Sequence, residues 1–282
     1  MKGAVAGISQ VARSHLLVAN ERRLPYVADD LMDWALSLRS AAAAEVCGKS
    51  RPLRLDGASS RVASPLEGRA HPRGDERMMI LSAVAQLAVE DGYEALTVTR
   101  IRAAAGVSRR RFDAHFEGVV DCFLAALDTL LERTLVEARD AYLRAGGWPV
   151  GVHPALLRVC QLLAQEPNLV KLIFFELFAP GTETLRWQAG LVSNLGSLLR
   201  GIASEEHRPT VPASEASVAA VLALLRRQAR AGRAQSLPSI AGALSYLVLA
   251  PAIGPEVAAA AIRGPGPTIT PIGDQERIAQ SS

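Results

Sequence analysis

This chain has few cysteines, few aromatic residues and little excess charge of either sign. Its three cysteines, Cys47, Cys122 and Cys160, form no CxxC pair and have no histidine cluster beside them, which excludes the usual zinc-site and disulfide-framework patterns. A reducing, cytoplasmic setting is the simpler interpretation. The net charge of +3 and the isoelectric point near 9.0 permit binding to nucleic acid but do not by themselves indicate it.

The sequence motifs of common enzymes are also missing. There is no nucleophile elbow, no glycine-rich phosphate loop, no HExxH helix and no paired-acid constellation. His15, His71, His153 and His207 stand apart from carboxylates and cysteines, so core or surface roles are expected for them rather than catalysis. We therefore expect a protein that is not an enzyme and that holds no metal and no cofactor.

The hydrophobic runs are shorter than a membrane span requires. Residues 1–10 lack the cleavage pattern of a signal peptide. The most apolar late stretch, Ile240–Ile253, is shorter than a span and contains Pro251. The sequence thus predicts a protein without a membrane partner.

Alanine and leucine are abundant, and hydrophobic residues make up 49% of the chain although aromatics make up only 5%. Neither alanine nor leucine is β-branched, and both keep favourable rotamers in helices, which predicts an all-α fold. Breaks rich in proline and glycine delimit the later helices. The predicted ranges are 119–144, 154–165, 168–178, 182–202, 214–231 and 238–261.

Residues 75–116 carry the local signals of two helices joined by a glycine turn, behind a first amphipathic helix over 75–90. Thr97 or Thr99 can cap a short second helix. Gly106 suits the sharp turn, and Ser108 suits the N-cap of a third helix that continues to about residue 116. The sequence therefore predicts a helix-turn-helix.

Residues 92–116, GYEALTVTRIRAAAGVSRRRFDAHF, resemble the helix-turn-helix of the tetracycline-repressor (TetR) family. The matching elements stand in order: Gly92-Tyr93, Leu96-Thr97, Ile101, Ala104-Ala105-Gly106-Val107-Ser108 and His115-Phe116. The resemblance continues more weakly to about Ala261 and does not include residues 1–72. It implies a transcription regulator, commonly a repressor, whose partners are a double-stranded DNA operator, a small-molecule effector and a second copy of the chain.

The turn is expected to present a polar face to the major groove of DNA. An apolar clamp holds the two short helices from behind, and it is predicted to contain Ile101, Ala105, Val107, Phe112 and Phe116. Arginine forks can read guanine edges or clasp phosphates, and a helix start can meet a phosphate. The candidate DNA-binding residues are Thr97, Thr99, Arg100, Arg109, Arg110, Arg111, Asp113 and His115. For His115, a phosphate contact and packing at the helix junction are equally open.

The recognition helix departs from the family's pattern. Over residues 111–114 this chain has Arg-Phe-Asp-Ala, so Asp113 replaces the usual tyrosine contact, and Val119 replaces a lysine that often follows the His-Phe pair. Phosphates repel a carboxylate unless it accepts from a cytosine amino group or orients an arginine; we favour the second role, with Arg109 or Arg110. The alternative is a degenerate regulator that acts as a helical dimerisation and interaction protein without specific DNA binding.

The later helices resemble the family's ligand-binding and dimerisation region. The candidate ligand-binding residues are Phe174, Phe175, Glu176, Phe178, Arg186 and Trp187. Their aromatic rings suit an apolar pocket with Glu176 or Arg186 as the polar anchor, although an ordinary core stripe is the alternative interpretation. The implied dimer seam is formed by two late helices whose apolar faces carry Val218, Val221, Leu222, Leu225, Ile240, Leu244 and Leu247.

The N-terminal 46 residues predict two helices that meet at Leu24-Pro25. The stretch LPYVADDLMDWAL at 24–36 aligns without gaps with LPSIAGALSYLVL at 237–249. Two interpretations are open: chance similarity, or the remnant of a preceding regulator's closing helices. Because Leu31, Trp34 and Leu38 form an apolar stripe, we expect this extension to dock, with the chain's own closing helices as the natural site.

The predicted organisation has five parts: a two-helix extension over 1–46, a flexible linker over 47–73, a helix-turn-helix domain over 74–121, a helical ligand-binding and dimerisation domain over 122–263, and a disordered tail over 264–282.

Overall fold

The computed structural model describes residues 24–39, 75–174 and 182–264, together with the single positions 7, 9, 43 and 46. Within these ranges the chain forms eleven α-helices and three short 3-10 helices, and no strand. The predicted all-α fold is therefore confirmed. The predictions for the first helix of the extension, for the linker and for the tail beyond Gly264 lie outside the described residues.

The first described helix, α1, spans Leu24–Ser37. The helix-turn-helix consists of α2 (Asp75–Asp91), a 3-10 turn (Tyr93–Ala95), α3 (Val98–Ala105) and α4 (Arg109–Asp113). The long helix α5 (Val119–Arg144) follows it. The bundle is completed by α6 (Val152–Gln165), α7 (Pro167–Phe174), α8 (Thr182–Ile202), α9 (Val211–Arg230), α10 (Ala241–Ile253) and α11 (Pro255–Arg263), with 3-10 turns at Glu205–His207 and Ala234–Ile240.

Two of the differences from the predicted helix boundaries have a clear local cause. Helix α4 ends at Asp113 rather than near residue 116, because the following residues turn back and place Phe116 in the core. The single helix predicted over 238–261 is divided at Gly254, which has φ 78°, a left-handed conformation that glycine adopts without steric cost. Pro238 lies in the 3-10 turn that precedes α10, where its missing N–H breaks no α-helical ladder.

One contiguous hydrophobic cluster connects the helix-turn-helix to the bundle. Phe112 and Phe116 pack in the same cluster as Phe123 of α5 and Leu244 of α10. Tyr93 also contacts Phe123, with ring centroids 4.8 Å apart. Because α5 belongs to both parts, close packing rather than a flexible joint sets the position of α4.

Helix α1 docks on the closing helices of its own chain. A separate cluster joins Val27, Leu31 and Trp34 to alanines of α9, with Leu247 of α10 at its edge. The indole Nε1 of Trp34 donates a hydrogen bond of 2.9 Å to Oγ of Ser217. These contacts confirm that the apolar stripe of the extension docks on the closing helices, here those of the same chain.

The residues predicted for a dimer seam are largely enclosed by the chain itself. Val218, Val221, Leu225 and Leu244 are all buried. Val218 packs against Val192 of α8, while Val221 and Leu225 face the main core, so these helices are covered from several sides. Intrachain packing therefore occupies these four side chains, which the sequence predicted for the seam, whereas the other three predicted members, Leu222, Ile240 and Leu247, are only partly buried.

The helical stretch Ala234–Ile253 is 20 residues long and apolar enough, by length and composition, to cross a membrane. It is longer than the predicted run because the 3-10 turn at its start leads directly into α10. Half of its most apolar 18-residue stretch is buried inside the protein. The core helix of a soluble protein can have the same length and composition.

Candidate nucleic-acid interface

The turn between α3 and α4 is built by three local devices. Thr97 is the N-cap of α3, and its side-chain oxygen accepts from the backbone N–H of Arg100 at 3.2 Å. Gly106 ends α3 in the left-handed region, with φ 66°. Ser108 caps α4 by accepting from the backbone N–H of Arg111 at 3.4 Å. The structure thus assigns the cap of α3 to Thr97 rather than to Thr99, which lies exposed on the first turn.

The predicted clamp behind the turn is present. Ile101, Ala105, Phe112 and Phe116 are buried, and Val107 packs against the same cluster. The rings of Phe112 and Phe116 lie 5.8 Å apart between centroids. This apolar contact fixes the angle between the two short helices and leaves the opposite face of α4 to solvent.

The exposed face of α4 carries three successive arginines. The side chains of all three, Arg109, Arg110 and Arg111, are exposed. Nε of Arg109 donates to both carboxylate oxygens of Asp113, at 3.0 and 2.9 Å, across one helical turn. Asp113 therefore holds Arg109, as expected of an arginine-orienting residue, although its role toward DNA stays a prediction. Among the described residues, the side chain of Arg110 has no ion-pair partner.

Glu76 contacts the recognition helix from the first turn of α2. Its carboxylate forms an ion pair with Arg111, and its second oxygen lies 3.9 Å from Nε2 of His115. The next residue, Arg77, places its guanidinium 5.6 Å from the ring centroid of Phe116. Glu76 was absent from the predicted site, because nothing in the local sequence of 75–77 indicates which later side chains its carboxylate meets.

A third carboxylate restrains the start of the unit. Arg100 is paired with Asp91 at the end of α2, and its Nη1 donates to the backbone oxygen of Ala95 at 2.9 Å. Three of the predicted arginine contacts, Arg100, Arg109 and Arg111, are thus bound to acids in the free protein. The pairs of Arg100 and Arg109 are exposed at both partners, so water screens them and they exchange at small cost, whereas the Glu76 carboxylate that pairs with Arg111 is half-buried.

Comparison with known families decides the nature of this segment. Residues 80–126 match the family model described as "Bacterial regulatory proteins, tetR family". The chain carries a tetR-family helix-turn-helix. The match contains the caps, the glycine turn and the arginine face described above and continues into the first turns of α5. The match supports the resemblance to the TetR family over this stretch. It also supports a DNA-binding regulatory role.

Similarity beyond the tetR-family segment is weaker. A solved structure described as "Structural analysis of fatty acid degradation regulator FadR from Bacillus halodurans" is 18% identical, with a TM-score of 0.48, and the match covers 64% of this chain and 97% of that chain. No curated protein matches the chain. The functional argument therefore depends on the residues of the tetR-family segment itself.

The candidate ligand-binding residues are only partly brought together. Phe174 is buried in the main cluster, whereas Arg186 is exposed. Trp187 is half-buried and its Nε1 donates to Asp128 of α5 at 2.9 Å, so its polar edge faces α5. The predicted residues Phe175, Glu176 and Phe178 lie outside the described residues.

The described part of the bundle contains a small, partly open recess beside α5 and α6. It is lined by Leu130, Arg133, Thr134, Leu162 and Glu166. Arg133 and Glu166 form an ion pair of 3.0 Å at its rim. This recess does not include the predicted ligand residues.

The titratable groups inside the bundle have structural surroundings. Burial raises the pKa of Cys122 and of Cys160 to about 12, which keeps both thiols protonated and unreactive. Nδ1 of His153 lies 3.1 Å from Oγ of Ser245, and burial lowers the pKa of this histidine. Over the described ranges, no group of three or more His, Cys, Asp or Glu side chains is arranged to hold a metal ion.

One contact joins the bundle directly to the helix-turn-helix. Nζ of Lys171 on α7 donates to the backbone oxygen of Val89 in the last turn of α2. A cation at a helix C-terminus is favoured by the partial negative charge of the unpaired carbonyl groups there. Phe174 lies on the same short helix as Lys171.

Proposed function

We propose that this tetR-family chain is a transcription regulator that reads a roughly palindromic operator as a two-fold homodimer. The observation that carries the proposal is the two-sided character of α4. Phe112 anchors it in the core while Arg109, Arg110 and Arg111 stand exposed on its outer face. A short helix held rigidly from behind and basic in front meets the requirements of major-groove docking.

The proposal gives the exposed residues different roles. The guanidinium of Arg110 is exposed and has no ion-pair partner among the described residues, so it suits direct reading of a guanine edge. Arg109 reaches DNA through its terminal nitrogens while Asp113 holds its Nε. Thr97, Thr99 and Arg100 lie at the start of α3, where backbone N–H groups and basic side chains suit phosphate contacts that set the register.

Selection of binding sites from a random duplex library, followed by gel-shift titration over a salt series, tests this function. We expect a preferred sequence with two half-sites and a steep loss of affinity with salt, since each phosphate contact releases a counterion. The triple variant Arg109→Ala, Arg110→Ala, Arg111→Ala removes three charges from α4. The matched control Arg139→Ala, Arg144→Ala, Arg208→Ala removes three exposed charges elsewhere.

The two variants separate a specific interface from general basicity. Loss of binding in the α4 variant with retention in the control supports the proposal. Equal losses in both variants, or the absence of any sequence-preferring complex at low salt, contradict it. Sedimentation of the free chain and of the complex reports directly whether two copies bind one duplex.

We also propose that regulation is repression, released by a small apolar effector bound near Phe174 and Trp187. What supports this is the contact of Lys171 with α2, because it gives the effector's helix a direct connection to the DNA-reading unit. A ligand shifts DNA affinity only if it favours one of two arrangements of that connection. Thermal-shift screening of small apolar compounds, then gel-shift titration with each hit, provides the test.

The Lys171→Met variant sharpens the effector test, since it removes the charge and keeps the length of the side chain. An effector should stabilise both proteins but should loosen operator binding much less in the variant. If every stabilising compound leaves the operator affinity of the unchanged chain unaltered, release by an effector is wrong even though binding occurs.

A second candidate function is the degenerate regulator that dimerises or binds a partner without reading DNA. The observation that favours it is the pairing of Arg100, Arg109 and Arg111 with carboxylates, which reduces the positive charge available to DNA. The same gel-shift titration separates the two functions, because the degenerate regulator shows no sequence preference at any salt concentration.

A further inference from the structure

Two successive residues at the start of α2 hold the end of the recognition helix. Glu76 binds Arg111 and lies beside His115, while Arg77 covers the ring of Phe116. Glu76 is half-buried, with 31% of its side chain exposed, whereas Arg111 is 63% exposed. The carboxylate is therefore the fixed partner, and the arginine on the rim of α4 is the group that it restrains.

The three arginines of α4 differ in which partner restrains each guanidinium group. Arg109 is bound within the helix by Asp113, so its partner moves with it. Arg111 is bound to α2, a different helix, so its position relative to DNA is fixed by the body of the domain. Arg110 has no side-chain partner among the described residues and is free to follow a base edge.

We propose that Glu76 is a positioning residue that decides which arginine reads DNA. By pairing with Arg111, it keeps this arginine from contacting the phosphates, and it fixes the angle of α4. Arg110 then recognises the bases, with Arg109 beside it. This role rests on the proposed function, since it concerns the same interface. The exposed position of Arg111 means that a change at Glu76 alone is enough to release a cation toward the DNA backbone.

The first experiment measures salt dependence with the Glu76→Gln variant. The probes are the best duplex from random-library selection and a scrambled duplex of the same base composition. One additional phosphate contact steepens the slope of log affinity against log salt by about 0.9. We expect that increase on both duplexes, together with a smaller ratio between their affinities, because the released arginine holds any sequence alike.

Two controls isolate the restraint from simple loss of negative charge. Glu94→Gln removes one exposed carboxylate from the same domain, at a position that has no ion-pair partner among the described residues, and should leave the slope unchanged. In an Arg111→Ala background, Glu76→Gln should no longer steepen the slope, because the cation that it releases is gone. Arg111→Ala alone should also leave the slope unchanged, since the restrained arginine contacts no phosphate.

The outcomes are distinct. A slope that falls by about 0.9 in Arg111→Ala shows that Arg111 contacts a phosphate in the unchanged protein, and overturns the proposal. An unchanged slope and an unchanged affinity ratio in Glu76→Gln overturn it as well. If Glu76→Gln steepens the slope equally with and without Arg111, the effect is one of general charge and the positioning role is wrong.

A measurement without DNA keeps the test separate from the proposed function and from folding defects. Chemical denaturation of the four proteins of the Glu76→Gln and Arg111→Ala cycle gives the coupling between the two residues. Additive midpoint shifts mean that the pair does not form, which overturns the proposal.

If the midpoints couple but the unchanged chain binds no duplex, the proposed function fails and the reading role fails with it. If the chain binds DNA but no slope responds, only the role of Glu76 is overturned.

Discussion

Trp34 and Ser217 lie 183 positions apart in the chain, yet the indole Nε1 of one donates to the hydroxyl oxygen of the other at 2.9 Å inside the protein. Both side chains are 2% exposed. Leu31 packs beside them against Ala216 and Ala220 of α9. Because an unpaired buried N–H is costly, this hydrogen bond sets the depth and register at which α1 docks on α9.

Replacing Trp34 by alanine should release α1. Removing a large buried aromatic side chain costs about 3 to 5 kcal/mol of folding free energy. The docked position of α1 should therefore lose much of its stabilisation. We expect faster proteolysis within residues 24–39 and a lower thermal midpoint. Met32→Ala is the control, since Met32 lies on the same helix and is 61% exposed. Equal digestion rates for the two variants would show that Trp34 does not hold the helix.

Replacing Arg110 by alanine should weaken binding to the selected duplex by about 1 to 3 kcal/mol and relax the preference at one operator position. The reason is that its exposed guanidinium suits a guanine edge. Repeated site selection with the variant protein provides the measurement. A uniform weakening on all sequences instead means that Arg110 contacts a phosphate, and Arg144→Ala controls for the loss of one exposed charge.

Replacing Asp113 by alanine should lower discrimination between the selected and the scrambled duplex, because Arg109 loses the carboxylate that holds its Nε. The expected loss is about 1 kcal/mol of specificity, typical of one imperfectly placed base contact. In an Arg109→Ala background, Asp113→Ala should have no such effect. Uniformly tighter binding to both duplexes would identify Asp113 as a repulsive charge only.

Replacing Gly106 by alanine should destabilise the helix-turn-helix by about 1 to 2 kcal/mol, the cost of a left-handed conformation in a residue with a Cβ. Apart from its chain neighbours, no atom of the described residues lies within 4 Å of the added Cβ, so backbone strain alone is measured. Gly190→Ala is the matched control, because that glycine is in the interior of α8 and also has open space. There we expect a gain of up to about 1 kcal/mol, read from denaturation midpoints.

Acidification should destabilise the protein through His153. Burial lowers the pKa of this histidine in the folded state below its usual value of 6.5. The unfolded chain therefore takes up the proton first, so the free energy of unfolding is full above about pH 6.5 and falls as the pH drops through that value toward the folded pKa. Denaturation at about pH 7.5 and about pH 5.5, roughly one unit on either side of the usual value, measures the loss.

The His153→Gln variant should lose less stability than the unchanged chain over the same pH change. His207→Gln is the control, since His207 lies near the surface beside Ser204. An identical pH dependence in the unchanged chain and in His153→Gln contradicts the assignment. The hydrogen bond to Ser245 is lost or altered at both pH values, so it shifts the whole curve without changing its slope.

Features that depend on neighbouring residues could be predicted closely. Thr97, Gly106 and Ser108 act on backbone groups three or four positions away, and the helix-turn-helix follows from them. The pairing of Asp113 with an arginine was also predictable, because residues four apart on a helix share a face. Which of two candidate arginines pairs with it was not, since both lie at helical spacing.

Features that depend on distant contacts could not be predicted in the same way. The apolar faces of α9 and α10 have the pattern of a dimer seam, and the sequence alone does not say that α1, α8 and the chain's own core already cover much of them. The same apolar pattern serves an internal and an external interface, because burial against either removes the same surface from water.

The sequence by itself therefore determined the helical class, the caps and turn of the DNA-reading unit, and the existence of an apolar stripe on α1. Each of these follows from propensity, hydrogen bonding or periodicity within a few residues. Only the tertiary structure decided that Glu76 restrains Arg111 and that Trp34 meets Ser217. Side chains far apart in sequence become partners only when the packing of whole helices sets their distance, and no local pattern records that distance.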